Sequence, residues 1–82
     1  MPTLMTEKEV LKWIAELFEE SANNVFLDTP REAIPAWDSL GVLTLMAALD
    51  ERFDLVLSDA EMRAMKKAGD IVEVLRKNGK LN

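Results

Sequence analysis

Four helix-start signals punctuate this 82-residue chain and leave little room for any class of structure but a helical one. Thr6 stands three residues ahead of Glu9, Ser58 three ahead of Glu61, and Asp70 three ahead of Glu73. That is the spacing of a capping box, in which each of the two side chains accepts a hydrogen bond from the other residue's backbone N–H. Asp38 supplies the fourth signal, because its carboxylate can accept from the free N–H groups of a first turn and its charge suits the positive end of the dipole. Apolar residues recur at i, i+3 and i+4 behind these caps, and no stretch alternates well enough for a strand. The expected fold is an all-α four-helix bundle, with helices over about 7–21, 39–53, 59–66 and 71–78.

The first helix offers Val10, Leu11, Ile14, Leu17 and Phe18 to a core, with Trp13 packing at the edge of that stripe. Met1 to Met5 read as a frayed end. The connection from Ala22 to Trp37 carries Asn23, Asn24, Asp28, Thr29, Pro30 and Pro35, all turn or breaker residues. A loop of this length in a compact domain is usually pinned by its own apolar side chains, here Val25, Phe26, Leu27 and Ile34. It also frees the second helix from the antiparallel course that a short turn would impose. In the second helix Val42, Leu45, Met46, Leu49 and Phe53 form the inward stripe, while Leu40, Leu43 and Ala47 fall off it.

Leu55 and Leu57 are placed to turn inward from the link that follows. The short third helix has only Met62 and Met65 for the core. Methionine packs adaptably, so this helix reads as the most mobile and as a gate over any interior space. Gly69 is expected to stop the next link, with Asp70 capping a last helix that buries Ile71, Val72 and Leu75. Arg76 and Lys77 suit the negative end of that helix, and Gly79 suits its termination.

Composition limits function. Eighty-two residues make one domain, which hides roughly 60–65% of the surface its unfolded chain exposes. The chain has no Cys, His or Tyr. It therefore lacks a disulfide framework, the usual zinc ligands and the commonest general base, which argues against a self-contained enzyme. No apolar run is long enough to span a bilayer, and the N-terminal residues lack the pattern of a signal peptide, so a cytoplasmic protein without stable membrane insertion is expected. Residues 1–54 carry eleven acids against four bases, and residues 55–82 four acids against six bases. An acidic first two-thirds argues against nucleic acid and favours basic protein partners. Size suggests a monomer.

Asp38 and Ser39 form the candidate site. Ser39 falls in the first turn of the second helix, where unpaired backbone donors favour an attached phosphate. Asp50, Glu51 and Asp54 cluster at the other end of that helix. They match no calcium-binding loop and read as a solvated helix end, not a metal site.

The segment Asp38-Ser39-Leu40, with LTLMAALDERFDLVLSD after it and, more loosely, MKKAGDIVEVL, resembles the acyl carrier proteins and related phosphopantetheine-attachment domains. The likeness covers most of the chain and is weakest before residue 25. It implies the bundle of that family and a serine that carries a 4′-phosphopantetheine arm from coenzyme A, whose thiol holds acyl groups as thioesters. Carried over, Ser39 is the attachment residue, with Asp38 and Leu40 as its motif neighbours. The implied partners are a phosphopantetheinyl transferase and acyl-loading and acyl-processing enzymes. They would meet Leu40, Leu43, Ala47, Asp50, Glu51 and Asp54. An imported thiol also suits a chain that has none of its own.

The chain departs from the family at Gly41 and Thr44, where carriers of general fatty acid synthesis usually place acids. Basic Arg63, Lys66 and Lys67 stand on and beyond the third helix, where such carriers tend to be acidic. These departures suggest a specialised carrier of a dedicated lipid, polyketide or related pathway, reading its partners more by apolar contact than by charge. Gly41 also lowers helix propensity by roughly 1 kcal/mol against Ala, which points to a looser first turn. Two other readings stand beside this one: an aminoacyl or peptidyl carrier with the same arm, and an unmodified helical module that docks a partner helix.

Overall fold

A computed structural model describes residues 5–81 as a small bundle of four α-helices. They are α1 (Glu7–Leu17), α2 (Ser39–Phe53), α3 (Asp59–Ala64) and α4 (Ala68–Lys77), with single 3-10 turns at Ala22–Asn24 and Arg31–Ala33 in the long loop. Among the described residues there is no strand, only the isolated bridges Met5–Leu81 and Pro30–Lys67. No described helix is long and apolar enough to cross a membrane. The Cα radius of gyration is 11.6 Å, matching the roughly 12 Å of one domain this long.

Two of the expected capping boxes form in full. Thr6 Oγ1 accepts from Glu9 N–H at 3.2 Å while Glu9 Oε1 accepts from Thr6 N–H at 2.9 Å. Ser58 and Glu61 make the same reciprocal pair at 3.1 and 3.0 Å. The backbone bonds to Thr6 and Ser58 hold the Glu9 and Glu61 carboxyls below their ordinary pKa of 4.5, because they favour the charged acceptor.

The core collects Val10, Ile14, Ala15 and Phe18 from α1 and its end, Val42, Leu45 and Leu49 from α2, and Ile71, Val72 and Leu75 from α4. Leu55 and Leu57 turn inward, and Met62 and Met65 anchor α3, as the sequence suggests. Trp13 packs edge-on against Phe53, with centroids 5.1 Å apart.

Element ends depart from expectation where the tertiary structure imposes them. The first helix stops at Leu17 instead of running to residue 21. Glu19 adopts the left-handed conformation (φ 57°), and Glu20 N–H closes on the Ala15 carbonyl at 2.7 Å. This is a Schellman ending without a glycine. Phe18 fixes it by stacking on Trp37, with rings 5.6 Å apart and 13° from parallel. The third helix ends at Ala64, not at residue 66, because Met65 goes extended, which turns its side chain inward and exposes the Lys66 carbonyl to Arg31 N–H at 2.8 Å.

The last helix starts three residues early, at Ala68. Gly69 does not stop the link but lies inside the first turn, and Asp70 is not the N-cap. Its carboxylate instead reaches back to the N–H groups of Lys66 (2.8 Å) and Lys67 (3.2 Å). The long loop satisfies the orphan donors of that turn: Ala68 N–H donates to the Thr29 carbonyl at 2.9 Å and Gly69 N–H to Leu27 at 2.8 Å. A Cβ on Gly69 would stand 2.6 Å from the Leu27 oxygen, so the loop can approach this closely only at glycine.

These backbone bonds also change how the loop is held. Val25 and Ile34 are buried as expected, but Phe26 and Leu27 remain 59% and 42% exposed. Pairing with the start of α4, together with the buried Trp37, does the pinning assigned to those two side chains. Met5 is half-buried and bridged to Leu81 rather than frayed, while Met1 to Leu4 lie outside the described residues.

Candidate functional site

Everything that positions the head of α2 is fixed from behind. Trp37 is 2% exposed and stacked on Phe18, and its backbone N–H donates to the Ile34 carbonyl at 3.0 Å. The Arg31 side chain donates from Nε to the Trp37 carbonyl at 2.8 Å, with its guanidinium 6.0 Å from the indole centroid. The chain therefore leaves an anchored residue and enters the cap at once.

Asp38 is extended, and its Oδ1 accepts from Gly41 N–H at 2.9 Å while its carbonyl accepts from Val42 N–H at 2.9 Å. Ser39 follows as the first helical residue and is exposed. Among the described residues its hydroxyl has no hydrogen-bond partner, and the N–H groups of Ser39 and Leu40 have none either. The result is a free hydroxyl beside two free donors at the positive end of a 15-residue helix, a setting that favours negative charge.

Gly41 is the residue that lets this turn sit where it does. It is buried, and a Cβ there would run into the Ala36 carbonyl oxygen and stand 3.4 Å from the Phe18 ring. The expectation of a looser first turn is thus corrected. The missing side chain admits the loop backbone against the helix, and the position faces inward, away from anything a partner could read. Thr44 is exposed, but its hydroxyl donates to the Leu40 carbonyl of its own helix at 3.2 Å.

Leu40 (71% exposed), Leu43 (61%) and Ala47 lie on the outer face of α2, spaced i, i+3 and i+7, so they form one strip. Asp50, Glu51 and Asp54 are exposed and continue that strip toward the far end. All eight residues named from the sequence therefore sit on the surface of one helix and its cap. The inward stripe is equally well defined, with Val42, Leu45 and Leu49 buried and Met46 and Phe53 half-buried.

Asp54 ends the helix in the left-handed conformation (φ 53°) and donates its N–H to the Asp50 carbonyl at 2.9 Å. Among the described residues, no three acids converge to hold a metal ion.

Two features escaped the sequence reading, one that supports the site and one exposed apolar side chain elsewhere on the surface. Arg31 is separated by six residues from the carbonyl it holds, and no local spacing betrays that contact. Val56 is 76% exposed between the buried Leu55 and Leu57. Its outward direction was legible, since an extended segment with two inward neighbours must turn the middle side chain out. No protein-family model matches the chain.

Proposed function

We propose that this chain is a specialised acyl carrier in which Ser39 receives a 4′-phosphopantetheine arm from coenzyme A. When bound, the arm supplies a terminal thiol that holds acyl groups as thioesters. One observation carries the reading. Asp38 makes the capping bond to Gly41 at 2.9 Å, and the Ser39 hydroxyl is left exposed and unengaged. A serine placed only to cap a helix would accept that bond itself.

In attachment, Ser39 Oγ attacks the coenzyme A phosphorus nearest the pantetheine. The bond from that phosphorus to the nucleotide phosphate oxygen breaks, and adenosine 3′,5′-bisphosphate leaves. The hydroxyl proton passes to a base of the transferase, since this chain has no histidine to take it. The free N–H groups of Ser39 and Leu40 favour the new phosphodiester charge.

The exposed Leu40, Leu43 and Ala47 supply apolar contact to the transferase and to the acyl-loading and acyl-processing enzymes, with Asp50, Glu51 and Asp54 adding charge at the far end. The loading enzyme chooses the cargo, so acyl groups of a lipid, polyketide or related pathway and aminoacyl groups are all compatible with this site.

The test is the intact mass of the protein after incubation with coenzyme A and a broad-specificity phosphopantetheinyl transferase, beside a Ser39→Ala control. The expected result is a gain of one phosphopantetheine in the parent and none in the control. Folded parent protein that stays unmodified with several transferases would replace this reading with a helical module that docks partners through the same apolar strip.

A further inference from the structure

A second surface feature lies on α1 and has no part in the carrier reading. Leu11, Ala22, Val25 and Phe26 form the apolar floor of a groove of about 510 Å³, with Lys8 and Lys12 on its rim. That volume falls within the roughly 300–1,000 Å³ of small-molecule sites. Phe26 is 59% exposed, yet its backbone is held in a turn: its N–H donates to Thr29 Oγ1 at 2.8 Å and its carbonyl accepts from Thr29 N–H at 3.1 Å. The ring is therefore presented to solvent by an ordered turn and is not the product of a fraying loop.

Charge is distributed against the trend of the chain. Residues 1–54 hold four bases, and two of them stand one helical turn apart on this rim. Both are exposed, and neither forms an ion pair among the described residues. Glu9 also lines the groove and keeps its charge, with Lys12 among the cations that favour it, and Asn23 adds a neutral amide, so the lining carries two bases against one acid. Lys8 and Lys12 stand about 6 Å apart along the helix axis, close enough for both ammonium groups to meet one carboxylate.

We infer that this groove binds an anionic single-chain amphiphile, with its tail on Leu11, Val25 and Phe26 and its carboxylate between Lys8 and Lys12. The attraction combines burial of exposed apolar surface with a lining of two bases against one acid in an otherwise acidic half.

The experiment is an amide NMR titration of the full chain with decanoate and, in parallel, with decyltrimethylammonium, which has the same tail and the opposite charge, both kept below micelle formation. Saturable shifts centred on residues 8–12 and 22–26 are expected for decanoate, with binding at least several-fold weaker for the cation. Reversing both lysines (K8E with K12E) should weaken decanoate about tenfold and abolish the preference, because exposed charges each contribute modestly and reversal turns attraction into repulsion. Phe26→Ser should weaken both ligands, and the unfolding midpoint of each variant should stay near that of the parent. Equal binding of the two amphiphiles, shifts centred on Leu40 and Leu43 instead, no saturation, or undiminished decanoate binding in the lysine variant would each overturn the inference.

Discussion

Replacing Gly41 with alanine tests the architecture of the α2 start by the sign of its effect. In an open helix interior the change would stabilise the protein by roughly 1 kcal/mol, because alanine has the higher helix propensity. Here the added Cβ would run into the Ala36 carbonyl oxygen, and that gap must open beyond 3.0 Å. The loop cannot yield cheaply. Ala36 precedes Trp37, which is stacked on Phe18, bonded through its backbone N–H to Ile34 and gripped at its carbonyl by Arg31. The helix cannot yield without stretching the 2.9 Å bond from Gly41 N–H to Asp38. Overpacking of a tight site costs about 1–3 kcal/mol or more, and a backbone obstacle puts this case at the upper end, so the net expectation is a loss of about 1–3 kcal/mol. For a domain of this size each kcal/mol moves the midpoint by about 4–8 °C. Thermal unfolding of Gly41→Ala beside the parent, followed by far-UV circular dichroism, reads the sign directly. A raised midpoint would refute the close approach and restore the picture of a merely weak helix start.

Asp38→Ala should lose about 1 kcal/mol in urea unfolding while Asp38→Asn loses much less, since the asparagine oxygen can still accept from Gly41. Glu19→Gly should gain about 0.5–1 kcal/mol, measured the same way, because Glu19 holds a left-handed conformation (φ 57°) that glycine adopts without steric cost. Acid sensitivity should trace in part to the two capping boxes. The Glu9 and Glu61 carboxyls titrate below 4.5 when folded, so their contribution is complete above the unfolded pKa and is lost as pH falls through the lower folded value. Unfolding midpoints measured from about pH 6 to about pH 3 should fall less steeply for Glu9→Gln with Glu61→Gln than for the parent.

How much was legible depends on the range of the physics involved. Caps and periodicity are local, and they correctly located four helices and the inward stripe of α2. The candidate site was equally legible, because Asp38 and Ser39 adjoin in sequence and helical spacing alone places Leu40, Leu43 and Ala47 on one strip. Element ends were less legible. No breaker follows Leu17, and the helix stops there because Phe18 must stack on a tryptophan nineteen residues away. Phe26 and Leu27 were misread for a related reason: apolar character marks a residue as able to pin a loop, but backbone pairing with Ala68 and Gly69 had already done so.

The sequence by itself determined that the chain is all helical, which faces of its helices are apolar and where an exposed hydroxyl meets a helix start, since all of these follow from interactions within a few residues. Only the tertiary structure decided the meaning of the glycines at 41 and 69. The first reads as a weak point in a helix and the second as the stop of a link, yet both are places where a loop carbonyl comes too close for any side chain.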